Sequence, residues 1–161
     1  MPDRRATFAQ VLALDPGRTA LLVVDMQRGF LDPGEALEVP AARDIVPTLQ
    51  ALLACFRSKR LPVIFSEFVY SPRVPLLVGE LHPEHKPAPP GARTGFGLPS
   101  SNCLEGAPSA ATVPALAPDP GELVVRKHWY DAFAGTPLDG ALRARQVTSL
   151  VVTGTLTDIC V

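Results

Sequence analysis

The stretch "TALLVVD", residues 19–25, decides the fold. Its first six residues are apolar or β-branched without a polar interruption, and an acid, Asp25, closes the run. A strand with one wet face alternates polar and apolar side chains. A continuous apolar run of this length is what a strand buried on both faces of a parallel sheet requires. Three further runs have the same character: "LPVIFS" (61–66) before Glu67, "ELVVR" (122–126) before Lys127, and "TSLVVTG" (148–154), with Cys160 six residues further on.

Helical spacing lies between these runs. In "ARDIVPTLQALLACFRSKR", Ile45, Leu49, Leu52, Leu53 and Phe56 recur at i, i+4, i+7, i+8 and i+11, which puts them on one helical face. Asp44 is expected to cap this helix, with Pro47 in its first turn, where a missing N–H costs little. Cys55 is expected beside the apolar stripe in a structural role. In "TPLDGALRARQ", Thr136 reads as an N-cap and Pro137 as the first helical residue. Asp139 faces the positive end of the dipole. Alternating strands and helices give an α/β fold: three layers, doubly wound, with a mostly parallel sheet and helices on both faces, Rossmann-like in plan.

Residues 71–121 differ. They hold eleven of the 18 prolines and half the glycines, with no sustained period. A connection of this length is expected to cross the sheet edge and either roof a pocket or build a subunit contact. His82 and His85 fall here with HxxH spacing. No regular element would hold the pair and no third ligand is evident, so they read as solvated loop histidines rather than a metal site.

The 161 residues suit one domain with a real core. Fifteen basic and 16 acidic residues are well mixed, which gives no basic surface for nucleic acid or an anionic membrane. The apolar runs are far shorter than the ~20 residues that span a bilayer. "MPDRRATFAQ" has charges but no apolar segment behind them, so no signal peptide is expected. Cys55, Cys103 and Cys160 have no CxxC spacing, which suggests neither a zinc site nor a disulfide framework. A reducing cytoplasm is the expected compartment.

Ligands of such sheets bind outside the carboxyl ends of the strands. Asp25, Lys127 and Cys160 follow three of the four runs, so an acid, a base and a thiol would share one sheet edge. Singly, each has a plain alternative: a turn acid, a solvated lysine, a small buried thiol. Together they are what nucleophilic catalysis by a thiol needs, a proton acceptor and a cation beside the sulfur.

The stretches "TALLVVDMQRGFL", "VVRKHWYDAFAGTPLDGAL" and "VVTGTLTDICV" resemble the isochorismatase-like cysteine hydrolase superfamily, from about Thr19 to Val161. That group includes nicotinamidases, N-carbamoylsarcosine amidohydrolases and related amidases. The resemblance implies that Asp25 takes the thiol proton and later delivers it to the leaving amine. It implies that Lys127 steadies the charges and that Cys160 is the nucleophile. It also implies a cis peptide between Thr155 and Leu156, which would aim the Leu156 and Cys160 N–H groups at one point as an oxyanion hole. A helix starting at Cys160 would lower the thiol pKa. Thr155, Thr157 and Asp158 read as turn residues. Gln27, Phe30, Leu31, Trp129 and Phe133 are candidates for the substrate pocket. Core packing is an equal reading for Phe30 and Phe133, and Trp129 could also serve a subunit contact.

The sequence departs from the family twice. The nicotinamidase branch carries a DxH metal signature after the second strand. Here "VIFSEFVYSP" places Phe68 and Tyr70 there, and Glu67 alone is no substitute, so no metal or other cofactor is expected. The family also continues past its cysteine. The expectation is therefore a single domain over 1–161 that is incomplete at its C-terminus. The activity implied is hydrolysis of a C–N bond in a small amide, carbamoyl or ureido compound through a thioester, by a homodimer or homotetramer. The alternatives are vinyl ether hydrolysis of the isochorismatase type and a non-catalytic binding or scaffold protein.

Overall fold

The computed structural model describes residues 13–71 and 102–161. His82 and His85 lie outside the described residues. Four parallel strands, β1 (Thr19–Val24), β2 (Val63–Phe68), β3 (Leu123–Lys127) and β4 (Ser149–Gly154), form one sheet in the order β3-β2-β1-β4. The chain steps outward from β1 to β3, then returns to the far side of β1. The reversal leaves a crevice at the carboxyl ends of β1 and β4.

The helices are α1 (Arg28–Leu31), α2 (Val46–Ser58) and α3 (Leu138–Ala144). Side chains of one strand point to opposite faces, and this sorts the core into two clusters. Leu21, Val23, Val63 and Phe65 meet Leu49, Leu53 and Phe56 of α2 on one face. Ala20, Leu22, Val24, Ile64 and Val125 meet Leu138 and Leu142 of α3 on the other. This is the expected three-layer arrangement. Each Leu, Ile or Phe buried this way contributes about 1.5–3 kcal/mol.

Every residue of β1 and β2 is buried, as a continuous apolar run demands. The outer strands are less covered than that reading expects. Val152 of β4 is 42% exposed, and no residue of β4 is fully buried. Gly154 is required where β4 meets β1. Its φ is +114° and a Cβ there would collide with the Val24 backbone.

Several local expectations are corrected. Asp44 does not cap α2. It closes a 3-10 turn over Pro40–Arg43, and the cap position is Ile45, with no side-chain hydrogen bond. Cys55 is exposed, on the face of α2 turned away from Leu53 and Phe56. α1 was not expected, because one turn is too short to show a period. The start of α3 also shifts by one residue: Pro137 is the N-cap rather than the first helical residue, and Thr136, one position earlier, still accepts the Leu138 N–H on its Oγ1 at 3.2 Å.

The described part of the proline-rich segment is built into the structure. Residues 111–113 run antiparallel to 26–28. The Arg28 N–H donates to the Ala111 carbonyl and the Val113 N–H to the Met26 carbonyl, both at 2.9 Å. Leu116 is buried in the α2-side cluster. Among the described residues, no helix is long and apolar enough to cross a membrane.

Candidate active site

The first residue after β1 is Asp25, which is fully buried. Its φ of +50° lies in the left-handed region, which Asp tolerates better than most residues. The Asp25 N–H still donates to the Ser66 carbonyl at 3.0 Å, so the backbone turns while the ladder with β2 holds. Lys127 ends β3 and is also fully buried. Its ammonium lies 2.8 Å from Asp25 Oδ2 and donates to the Tyr130 carbonyl at 2.6 Å. The Ser66 hydroxyl donates to Asp25 Oδ1 at 2.9 Å.

The third member arrives after β4. The Thr155–Leu156 peptide is cis, as expected. The chain then closes a turn in which the N–H groups of Ile159, Cys160 and Val161 all donate to the Leu156 carbonyl, at 3.1, 3.0 and 3.0 Å. The turn brings the Cys160 thiol against the carboxylate of Asp25 and the ammonium of Lys127, and it also packs on the α3-side cluster. The structure therefore gathers Asp25, Lys127 and Cys160 at one point on the carboxyl edge of the sheet.

Burial dominates the electrostatics. It raises the Asp25 pKa above the ordinary carboxylate value, against the opposing pull of Lys127, Cys160 and Ser66. The Cys160 thiol is pushed up to about 12, first by burial and then by the Asp25 charge, with Lys127 opposing. Residues 157–160 form a turn in which the Leu156 carbonyl takes up the Cys160 N–H. Asp25 thus engages its neighbours with both oxygens: Oδ2 sits at ion-pair distance from Lys127, while Oδ1 takes the Ser66 hydroxyl.

The isochorismatase-domain family model matches residues 19–161, a span that contains every one of these groups. The chain belongs to the isochorismatase family. It is 35% identical over 159 residues to the ureidoacrylate amidohydrolase of Methylobacterium radiotolerans, covering 93% of this chain and 61% of that protein. Among solved structures, a cysteine hydrolase from Pseudomonas syringae superposes with a TM-score of 0.78 at 32% identity, covering 91% of this chain and 63% of that one. The N-carbamoylsarcosine amidase of Thermoplasma acidophilum gives a TM-score of 0.69 at 26% identity, covering 89% and 70%. The chain thus spans about three fifths of the length of the curated relative it matches.

Within this isochorismatase-family site, the proposed pocket residues separate. The Gln27 amide is spent on backbone. Its Nε2 donates to the Phe68 and Ala110 carbonyls at 2.8 and 2.7 Å, and its Oε1 accepts the Phe68 N–H at 2.7 Å. Both donors are used, so Gln27 holds the walls together instead of meeting substrate. Leu31 is buried in the α2-side cluster and Phe30 packs against it, whereas Cys160 contacts the α3-side cluster. Leu31 is thus a core residue rather than a pocket one, and Phe30, partly buried, agrees with its core-packing alternative. Phe133 is 44% exposed and Trp129 is half-buried, two and six residues beyond Lys127 in reverse order. Sequence reasoning missed Ser66. Its only signal was a hydroxyl beside Glu67 at the carboxyl end of a strand that opens with three apolar residues.

Proposed function

We propose that this protein is a cysteine-dependent amidohydrolase that cleaves a C–N bond of a small amide, carbamoyl or ureido compound through a thioester. The observation that carries the reading is the meeting of one carboxylate, one ammonium and one thiol in a buried site. The ureido and N-carbamoyl substrates named for two of the relatives support the substrate class.

A thiol with a pKa near 12 does not ionise in advance at neutral pH. Its proton passes to Asp25 Oδ2 as the sulfur attacks the substrate carbonyl, and the raised Asp25 pKa makes that carboxylate a stronger base for the task. The carbonyl π pair moves to oxygen as the S–C bond forms. Lys127 balances the charge that remains. When the tetrahedral adduct collapses, the C–N bond breaks and the leaving nitrogen takes the proton from Asp25. Water then attacks the thioester, Asp25 accepts its proton, and the acid departs with the thiol restored. The Leu156 N–H is one donor toward the oxyanion. For the Cys160 N–H to join it, that group must exchange its hydrogen bond to the Leu156 carbonyl for one to the substrate.

The test is ammonia release from a panel of primary amides, carbamoyl compounds and ureido compounds, including ureidoacrylate, with Cys160→Ser beside the native protein. Turnover should be abolished in the variant while substrate binding persists. Native-like turnover by Cys160→Ser would end the thioester reading.

A further inference from the structure

The Asp25 carboxylate has two oxygens, and the reaction proposed above needs one of them kept for the thiol proton. Ser66 occupies the other. It is 1% exposed and sits on β2, between the strand that carries Asp25 and the strand that carries Lys127. It holds Asp25 twice, by its carbonyl to the Asp25 N–H at 3.0 Å and by its hydroxyl to Oδ1 at 2.9 Å. Oδ2 then faces Lys127 at 2.8 Å. A carboxyl that pivots about its χ2 torsion would exchange its oxygens, because that torsion is broad and two-fold. One directed donor on Oδ1 removes the degeneracy.

We propose that Ser66 is a positioning residue for the isochorismatase-family reaction, fixing Asp25 so that Oδ2 alone receives the Cys160 proton. The proposal rests on the thioester reading above. The groups that face Asp25 from the elements packed around it are Lys127 on β3, the Cys160 thiol after β4 and, feeling its charge from the segment after residue 101, the Cys103 thiol. Ser66 favours the charged carboxylate, in the same direction as Lys127 and against burial. Loss of its hydroxyl therefore raises the pH at which Asp25 becomes a competent base.

The experiment compares Ser66→Ala, Ser66→Thr and native protein as full chains with matched thermal melts. It measures kcat/KM for ureidoacrylate against pH, and the pH dependence of Cys160 alkylation by iodoacetamide. Ser66→Ala should move the acid limb of kcat/KM upward by about half to one pH unit and lower the plateau about tenfold, with KM changed less than twofold. Ser66→Thr, which keeps the hydroxyl, should restore the limb. If Ser66→Ala does not fold, Ser66→Cys, of similar volume and a weaker donor, should show the same displacement of the pH–rate limb. An unmoved limb in a folded variant lacking the hydroxyl overturns the proposal, as does a rate loss that threonine does not restore. Failure of the underlying reading looks different, because Cys160→Ser would then remain active whatever stands at position 66.

Discussion

Lys127 Nζ stands 2.8 Å from Asp25 Oδ2, and neither side chain is more than 1% exposed. Such a pair is weak evidence for stability, but removing one partner leaves the other charge buried and costs about 3–5 kcal/mol. Asp25→Asn should therefore destabilise the protein and reduce hydrolysis about 10²- to 10⁴-fold by removing the base. It should also lower the Cys160 pKa, because the Asp25 charge is one of the causes that raise it. Thiolate absorbance titrated against pH checks the sign. A midpoint equal to or above that of the native protein would contradict it.

Gln27 joins the end of β2 to the segment around Ala110 by three buried hydrogen bonds. Gln27→Leu fills the space but leaves the Phe68 N–H and two carbonyls without those partners. A loss of about 2–4 kcal/mol in urea denaturation is expected. A change below about 0.5 kcal/mol would show that these groups find other partners.

Cys103 is fully buried, and its thiol is pushed up to about 12, chiefly by burial and further by Asp25. A thiol in the unfolded chain titrates near 9, so above that pH the unfolded state sheds a proton that the fold retains. The stability from the neutral thiol is complete below pH 9 and is lost as pH rises toward 12, by up to about 1.4 kcal/mol per pH unit. Cys103→Ala should flatten this decline in denaturation curves collected across that window. An unchanged slope would assign the alkaline loss to other groups.

Phe68 offers no donor atom to a metal, and among the described residues no three His, Cys, Asp or Glu side chains cluster to hold one. Exhaustive dialysis against a strong chelator should leave ammonia release within about twofold of its starting value. Loss of activity, regained only when zinc or iron is added back, would refute this.

The four strands were legible in the sequence because burial on both faces suppresses alternation, and β1 matches its apolar run residue for residue. The catalytic candidates were legible for a related reason: a charged residue directly after such a run falls at a strand's carboxyl end. What could not be read was everything fixed by contacts distant in sequence. Ser66 and Asp25 are 41 positions apart, as are Gln27 and Phe68, and nothing local announces either pairing. Asp44 misled because a 3-10 turn occupies the place where a cap was expected.

The parallel neighbour of β1 on its far side is β4, where Thr153 Oγ1 donates to the Leu22 carbonyl across 131 positions of chain. Contacts of such high order form against a large loop-closure entropy and slow the assembly of a sheet. The Cys160 thiol follows β4, whereas Asp25 follows β1 and Lys127 ends β3, on the part of the sheet that pairs without β4. During refolding, catalytic competence should therefore trail secondary structure, and recovery of hydrolysis becomes a clock for the docking of β4.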